Sequence, residues 1–291
     1  MNEFEYITTD ERLLKLVEDF KTLDAIAIDF EEECNLHIYG EHISIIQIYD
    51  NAHFYIVDVL SKGITDKGLE ALFTSPVEKI WFECHSDLSI LYKKHHIKAC
   101  NVYDLRVLAK ALGDIHGLDA VLKAFLGIDR GGAKKKNQRE NWMKRPIADE
   151  MLSYALKDVE YLFSLKEVLL NEVRERKLLK QVEASMKHVA EIKSSKPGWM
   201  KICNFYSLSS KERIYLKHIF IAREKTAERF NTPGVNVLEK KEVVNLAKLS
   251  PLDKDGVMKF MERAPTRYRK FITDAVVAAM ERASEEIRGK V

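Results

Sequence analysis

The spacing of apolar positions switches between two periods in the first half of the chain and settles on one in the second. A helix-like pattern runs from about Glu11 to Lys21 and gives way to the apolar run Ala25 to Asp29, which reads as a short buried strand. Ile43 to Tyr49 and Phe54 to Val59 are apolar and β-branched. Asp50-Asn51-Ala52-His53 between them predicts a hairpin turn, and with Ala25 to Asp29 they predict a three-strand meander. Lys79 to Phe82 predicts a further strand, followed by helical spacing at Leu88, Ile90 and Leu91 and again from Val102 to Leu112. Such a mixture predicts an α/β domain, a mixed sheet flanked by helices.

From Ala148 to about Lys193 the pattern is helical with few breaks, and Ser194-Ser195-Lys196-Pro197-Gly198 marks a linker. Beyond it, helical segments are expected over Ser209 to Phe230, Glu239 to Leu249, Leu252 to Arg263 and Thr266 to about Arg288. Asn231-Thr232-Pro233-Gly234, Ser250-Pro251 and Ala264-Pro265 punctuate them. This tail reads as a small all-α bundle. The expected division is a first domain over 1–192, a linker over 193–204 and a helical domain over 205–291.

A chain of 291 residues can hold two domains with full cores and needs no disulfides to do so. No apolar stretch approaches the roughly 20 residues that cross a bilayer, so no membrane partner is expected. The start Met-Asn-Glu-Phe-Glu-Tyr lacks the basic and apolar regions of a signal peptide, which makes the cytoplasm the expected location. Cys34, Cys84, Cys100 and Cys203 form no Cys-x-x-Cys pair, which argues against a zinc ribbon and points to buried reduced thiols. Charge is divided unevenly. Residues 193–291 carry 21 lysines and arginines against 12 acids, leaving 26 against 33 for residues 1–192. A basic tail beside an acidic first part suits a polyanion-binding module attached to a carboxylate site, or a helical domain kept soluble by its charge.

Asp29 and Glu31 lie two apart at the end of the first apolar run, so strand alternation gives them one face while Phe30 turns to the core. Two acids on one face either hold a hard cation or belong to a solvated loop. Asp87, in Glu83-Cys84-His85-Ser86-Asp87-Leu88, is a further candidate ligand or a first-turn helix acid. Asp104 is a candidate ligand or a cap. Tyr154 and Asp158 stand at i and i+4 on one helical face and can point into one cleft. The loop Gly127 to Arg139 carries Lys134, Lys135, Lys136 and Arg139, either a solvated charge run or a strip that tracks a phosphate backbone. Arg263, Arg267, Arg269 and Lys270 cluster near the start of the last helix as a second candidate phosphate patch. His37, His42, His53, His85, His95 and His96 show no ligand spacing.

The order of these pieces is more specific than any one of them. Strand-borne Asp-x-Glu, then Ile-x-x-Ile-Gln-Ile, Ser-Asp-Leu, Asn-Val-Tyr-Asp, Asn-Trp-Met-Lys-Arg-Pro-Ile and Tyr-x-x-x-Asp-Val-x-Tyr-Leu resemble the DEDDy branch of the 3′ to 5′ exonucleases, bacterial ribonuclease D above all. The likeness covers about residues 20 to 170 and is most specific from Asn141 to Leu162. The tail is similar to the HRDC-type helical module of that family through Trp199, Leu216, Ala222-Arg223-Glu224, Ala227 and the Pro233 turn.

The resemblance implies an RNase H-like catalytic domain in which Asp29, Glu31, Asp87 and Asp158 bind two divalent metal ions, Mg²⁺ or Mn²⁺, while Tyr154 positions the attacking water. It implies hydrolysis of RNA from the 3′ end to nucleoside 5′-monophosphates, with transfer-RNA precursors as family-like substrates and no obligate protein partner. A 3′ to 5′ DNA exonuclease of the same superfamily and a non-catalytic nucleic-acid-binding scaffold are the alternatives. Phe30 departs from the family's small polar residue, Phe82-Glu83-Cys84-His85 departs at the second motif, and Gly131 to Arg139 lacks the usual Lys-Ser pattern.

Overall fold

The apolar runs of the first half assemble side by side into one mixed sheet. The computed structural model describes residues 3–131, 140–192 and 196–289. Among these, β1 (Phe4–Ile7), β2 (Ala25–Cys34), β3 (Glu41–Tyr49), β4 (Phe54–Asp58), β5 (Glu78–Trp81) and β6 (Val102–Asp104) form a six-stranded sheet in the order β1-β4-β3-β2-β5-β6. β3 and β4 pair antiparallel, with Ile46 opposite Val57 and Tyr49 opposite Phe54. The pairs β1–β4, β2–β5 and β5–β6 are parallel. Every residue of β3 from Ile43 to Ile48 is buried, because helices cover both faces of this central strand.

Strand alternation distributes the core. Ile26, Ile28, Ile46 and Ile48 face a cluster built with α1 (Asp10–Phe20), α2 (Asp66–Thr74) and α3 (His85–His95). Ala27 and Ile80 face the opposite way, onto α4 (Leu105–Gly113), α5 (Leu118–Leu126), α6 (Asp149–Glu160), α7 (Leu162–Glu175) and α8 (Leu179–Met186). On that same side Ile45 and Ile56 meet Trp142, Leu152 and Leu156. Lys79 on β5 is wholly buried and gives its three protons to the carbonyls of Ser75 at 2.7 Å, Val77 at 3.0 Å and Cys100 at 3.1 Å. Each donor is satisfied, as burial of an ammonium group requires.

The second half is helical: α9 (Ser210–Arg229), α10 (Gly234–Val237), α11 (Lys240–Leu249), α12 (Lys254–Phe260) and α13 (Thr266–Arg288). Ser209 and Glu212 close a capping box at the start of α9. Leu216, Ile219, Leu246, Val257, Ile272 and Val276 form its core. A Cβ at Gly234 would lie 2.5 Å from Glu224 Oε1 and 3.0 Å from Arg223 Nε, so those side chains would have to shift to admit one. The chain divides into two compact units, residues 1–33 with 42–193 and residues 34–41 with 194–291.

Several expectations change. β2 continues to Cys34, so Asp29 and Glu31 sit inside a strand and not on a loop beyond one. Val102–Asp104 is a strand and the helix begins only at Leu105, because the Asp104 side chain accepts the Arg106 N–H at 2.9 Å and caps it. The long helix expected from Ala148 is three helices, broken at Tyr161 and around Lys177, whose φ is 58°. Of the cysteines only Cys84 is buried. Cys34, Cys100 and Cys203 are exposed because each lies outside the core-facing stretches. No helix among the described residues is long and apolar enough to cross a membrane.

Candidate active site

β2, the start of α5 and one face of α6 converge on a cavity of about 200 Å³. Asp29 and Glu31 reach it from the same face of β2, and Tyr154 and Asp158 reach it one turn apart on α6. Phe30, Phe82, Glu83, Gly117 and Leu118 complete the wall. Phe30 also packs edge-on against Phe73 and Trp81, each with ring centroids 5.6 Å away. The residue between the first two acids therefore braces the tryptophan that holds the next one.

That acid is Asp87, in the first turn of α3. Its Oδ2 accepts the Trp81 Nε1–H at 3.0 Å and its Oδ1 accepts the Ser86 hydroxyl at 3.1 Å. Asp87 is buried and does not line the cavity, yet its charge acts on both Asp29 and Glu31. Asp104 takes the structural alternative. Its carboxylate accepts the backbone N–H groups of Glu83 at 2.7 Å, Cys84 at 3.2 Å and Arg106 at 2.9 Å, so it is a tether that sets the turn into α3. Glu83 has φ 68°, a left-handed conformation that this tether holds in place.

Burial and then repulsion by Asp158, Asp87 and Glu31 push the Asp29 carboxyl well above its ordinary range. Burial, Asp158 and Asp87 do the same to Glu31. Burial and the neighbouring Glu32 push Asp87 up to about 8, against the opposing hydrogen bonds from Ser86 and Trp81. Burial, Asp158 and Glu31 raise the Tyr154 phenol. A cation in the cavity would offset the charges of Asp29, Glu31 and Asp158 that line it, and an all-oxygen donor set suits hard divalent ions. Among the described residues no three His, Cys, Asp or Glu side chains stand close enough to hold one ion as they are. Two of the acids have other partners, Asp87 with the Trp81 indole N–H and Asp158 with Arg130.

Arg130 lies in the stretch Gly127 to Arg139 that the sequence marks as basic, and the structure turns it inward. Its side chain is 9% exposed, with Nη1 2.8 Å from Asp158 Oδ1. Arg145 was legible only as part of the Arg-Pro step. Its guanidinium fastens the Trp142 to Pro146 segment to the sheet through Asp58, the Trp142 carbonyl and Ser44. The signal for either role lies in tertiary contacts.

Lys134, Lys135, Lys136 and Arg139 lie outside the described residues. In the second unit Arg267 stacks on Tyr268, with its guanidinium 5.4 Å from the ring centroid. Arg269 donates to the carbonyls of Glu262 at 3.0 Å and Ala264 at 3.1 Å, so it ties down the turn before α13. Arg263 pairs with Glu242 at 3.2 Å.

A family model described as 3′-5′ exonuclease matches residues 4–174. Ribonuclease D of Gluconacetobacter diazotrophicus is 26% identical over 261 residues, which cover 86% of this chain and 64% of the relative. Ribonuclease D of Haemophilus influenzae is 26% identical over 260 residues, covering 85% and 63%. The chain thus spans just under two thirds of the length of these curated relatives. The crystal structure of Escherichia coli RNase D superposes with a TM-score of 0.78 at 22% identity, covering 97% of this chain and 75% of that one. At that identity the likeness establishes the fold.

Proposed function

This chain belongs to the 3′-5′ exonuclease family, and from that premise we propose that it is a divalent-metal-dependent exoribonuclease that shortens RNA from the 3′ end and releases nucleoside 5′-monophosphates. The observation that carries the reading is the convergence of Asp29, Glu31, Tyr154 and Asp158 on one cavity, with Asp87 near enough to act on the charges of Asp29 and Glu31. Asp29, Glu31, Asp87 and Asp158 would hold two ions, Mg²⁺ or Mn²⁺, which supply an acidified water and stabilise the leaving oxygen.

Tyr154 keeps its proton at neutral pH, because burial and two carboxylates oppose its ionisation. It orients the attacking water by hydrogen bonding and does not serve as the base. Phe82 and Leu118 offer apolar surface in the same cavity to the terminal nucleoside. Arg145 and Asp104 position the segments that carry the site.

RNA as the substrate is supported by the likeness to two bacterial ribonucleases D. The E. coli enzyme is described as an exoribonuclease involved in structured RNA processing, and structured RNA such as transfer-RNA precursors is the substrate class inferred for this chain. We assign catalysis to residues 1–192 and backbone binding to the basic, HRDC-like residues 205–291, joined by the linker 193–204.

Incubation of 3′-labelled single-stranded RNA and DNA with the full chain and Mg²⁺ or Mn²⁺ tests this. Stepwise loss of the RNA label, abolished by Asp29→Asn, is the expected result. Preferential loss from DNA moves the substrate class, and binding without loss under every metal overturns the enzymatic reading.

A further inference from the structure

Among the described residues, Arg130 sets a permanent cation against the acid cluster. Gly127, at φ 70°, ends α5, and Asp129 then holds the turn by accepting the Gly131 N–H at 3.1 Å and the Lys123 ammonium at 2.7 Å. The intervening Arg130 is directed inward. Its Nε donates to Asp119 Oδ1 at 2.6 Å and its Nη1 to the Lys157 carbonyl at 2.7 Å, while the same Nη1 lies 2.8 Å from Asp158 Oδ1. The Arg130 side chain is 9% exposed and that of Asp158 12%. A guanidinium so placed stays charged at every working pH.

We propose that Arg130 is a built-in counter-cation of the acid cluster, whose guanidinium holds Asp158 in the metal-free protein and releases it when a divalent ion binds. The inference rests on the metal-carboxylate reading of the same cavity. An oxygen that already accepts a charge-assisted hydrogen bond is a poorer ligand until that bond is given up, so Arg130 and the ion compete for Asp158. Asp119, which does not line the cavity, anchors the guanidinium from the other side and keeps it within reach for the return exchange. Arg130 is thus a positioning residue that sets how readily the site loads and how well the unloaded site tolerates its own repulsion.

Mn²⁺ binding to the full chain, followed by loss of the free-ion electron paramagnetic signal, reads this without turnover. Arg130→Gln is expected to bind Mn²⁺ about tenfold more tightly, the size of one charge-assisted hydrogen bond. It is also expected to melt at lower temperature in EDTA and to gain more from Mn²⁺ than the unsubstituted chain does. Asp119→Asn loosens the anchor without altering a proposed ligand and is expected to shift affinity the same way; it decides alone if Arg130→Gln does not fold. In an Asp158→Asn background, Arg130→Gln should lose its effect on affinity. Unchanged or weaker Mn²⁺ binding in folded Arg130→Gln and Asp119→Asn overturns the counter-cation and leaves the metal site standing. No Mn²⁺ binding by the unsubstituted chain overturns both.

Discussion

The Arg145 guanidinium forks onto the Asp58 carboxylate, with Nε 2.8 Å from Oδ2 and Nη2 2.6 Å from Oδ1. The same group donates to the Trp142 carbonyl at 2.7 Å and to Ser44 Oγ at 3.1 Å, so one side chain joins a connecting segment to β3 and β4. Burial works to raise the Asp58 carboxyl, and the hydrogen bonds from Arg145 and Tyr6 outweigh it and hold the carboxyl below its ordinary value. A lysine offers one point of charge where the fork needs two parallel donors. Arg145→Lys should therefore lower unfolding free energy by about 2 kcal/mol in denaturant melts at neutral pH. Because a depressed carboxyl stabilises the fold above its unfolded pKa, the difference should shrink as pH falls below about 4. A variant as stable as the parent would remove the fork from the account of this segment.

The acid cluster carries the opposite sign. Asp29, Glu31 and Asp87 have raised carboxyls in the fold, Asp87 up to about 8, so the folded chain binds more protons than the unfolded one above about pH 4. Stability then falls as pH rises toward 8. In EDTA the melting temperature should drop between about pH 5 and about pH 8, and Asp29→Asn should flatten that slope. Adding Mn²⁺ should raise the melting temperature most at the upper end. A parent and an Asp29→Asn variant with parallel pH profiles would sink this electrostatic account.

Trp81 and Arg130 both hold an acid of the cluster, and they should act in opposite directions on metal binding. The Trp81 indole N–H is a neutral donor that orients Asp87 and leaves its charge uncompensated. Trp81→Phe preserves an aromatic ring against Phe30 and Phe73 but removes the donor. The Mn²⁺ dissociation constant should rise about tenfold, as it does when an orienting hydrogen bond to a ligand is lost. Circular dichroism should remain that of the parent. Tighter binding would mean that Trp81 restrains Asp87 from the ion instead of aiming it.

What the chain revealed before folding and what it withheld have physical reasons. Ile43–Tyr49 and the longer tail helices were legible because the period and the turn residues agree, as at Ser250-Pro251 after α11. β1 went unread, since Phe4–Ile7 is a four-residue edge strand without turn signals, paired in parallel to a strand about fifty positions away. Val102–Asp104 matched a helical spacing that the Asp104 cap overrides. Asp29, Glu31, Tyr154 and Asp158 could be grouped by motif, and the structure gathers them around one cavity. Arg130 and Asp58 could not be found this way, because their partners lie 28 and 87 positions distant and no local pattern marks them.

Tyr154→Phe separates orientation from ligation. The phenol lines the cavity beside Asp158, and its raised pKa keeps it a donor at neutral pH. Removing the hydroxyl should lower kcat about a hundredfold, a typical size for one oriented catalytic hydrogen bond, while Mn²⁺ affinity and KM for RNA stay near parental values. A flat kcat–pH profile near pH 10 in the parent agrees with an orienting role. Equal losses in kcat and in Mn²⁺ affinity would make Tyr154 part of the metal cage.

The basic tail allows a test that distinguishes surface charge from structural arginine. Arg267 stacks on Tyr268, whereas Arg269 is engaged by the carbonyls of Glu262 and Ala264. If the start of α13 contacts the RNA backbone, each lost phosphate contact lowers the slope of log affinity against log salt by about 0.7 for a single strand. Arg267→Gln with Lys270→Gln should therefore reduce the slope by about 1.4 in fluorescence anisotropy with labelled RNA and leave melting unchanged. Arg269→Gln should instead lower melting temperature, because the turn carbonyls of Glu262 and Ala264 lose their donor. An unaltered salt slope in the double variant would move RNA binding away from this helix, and an unaltered melt in Arg269→Gln would return that arginine to the surface patch.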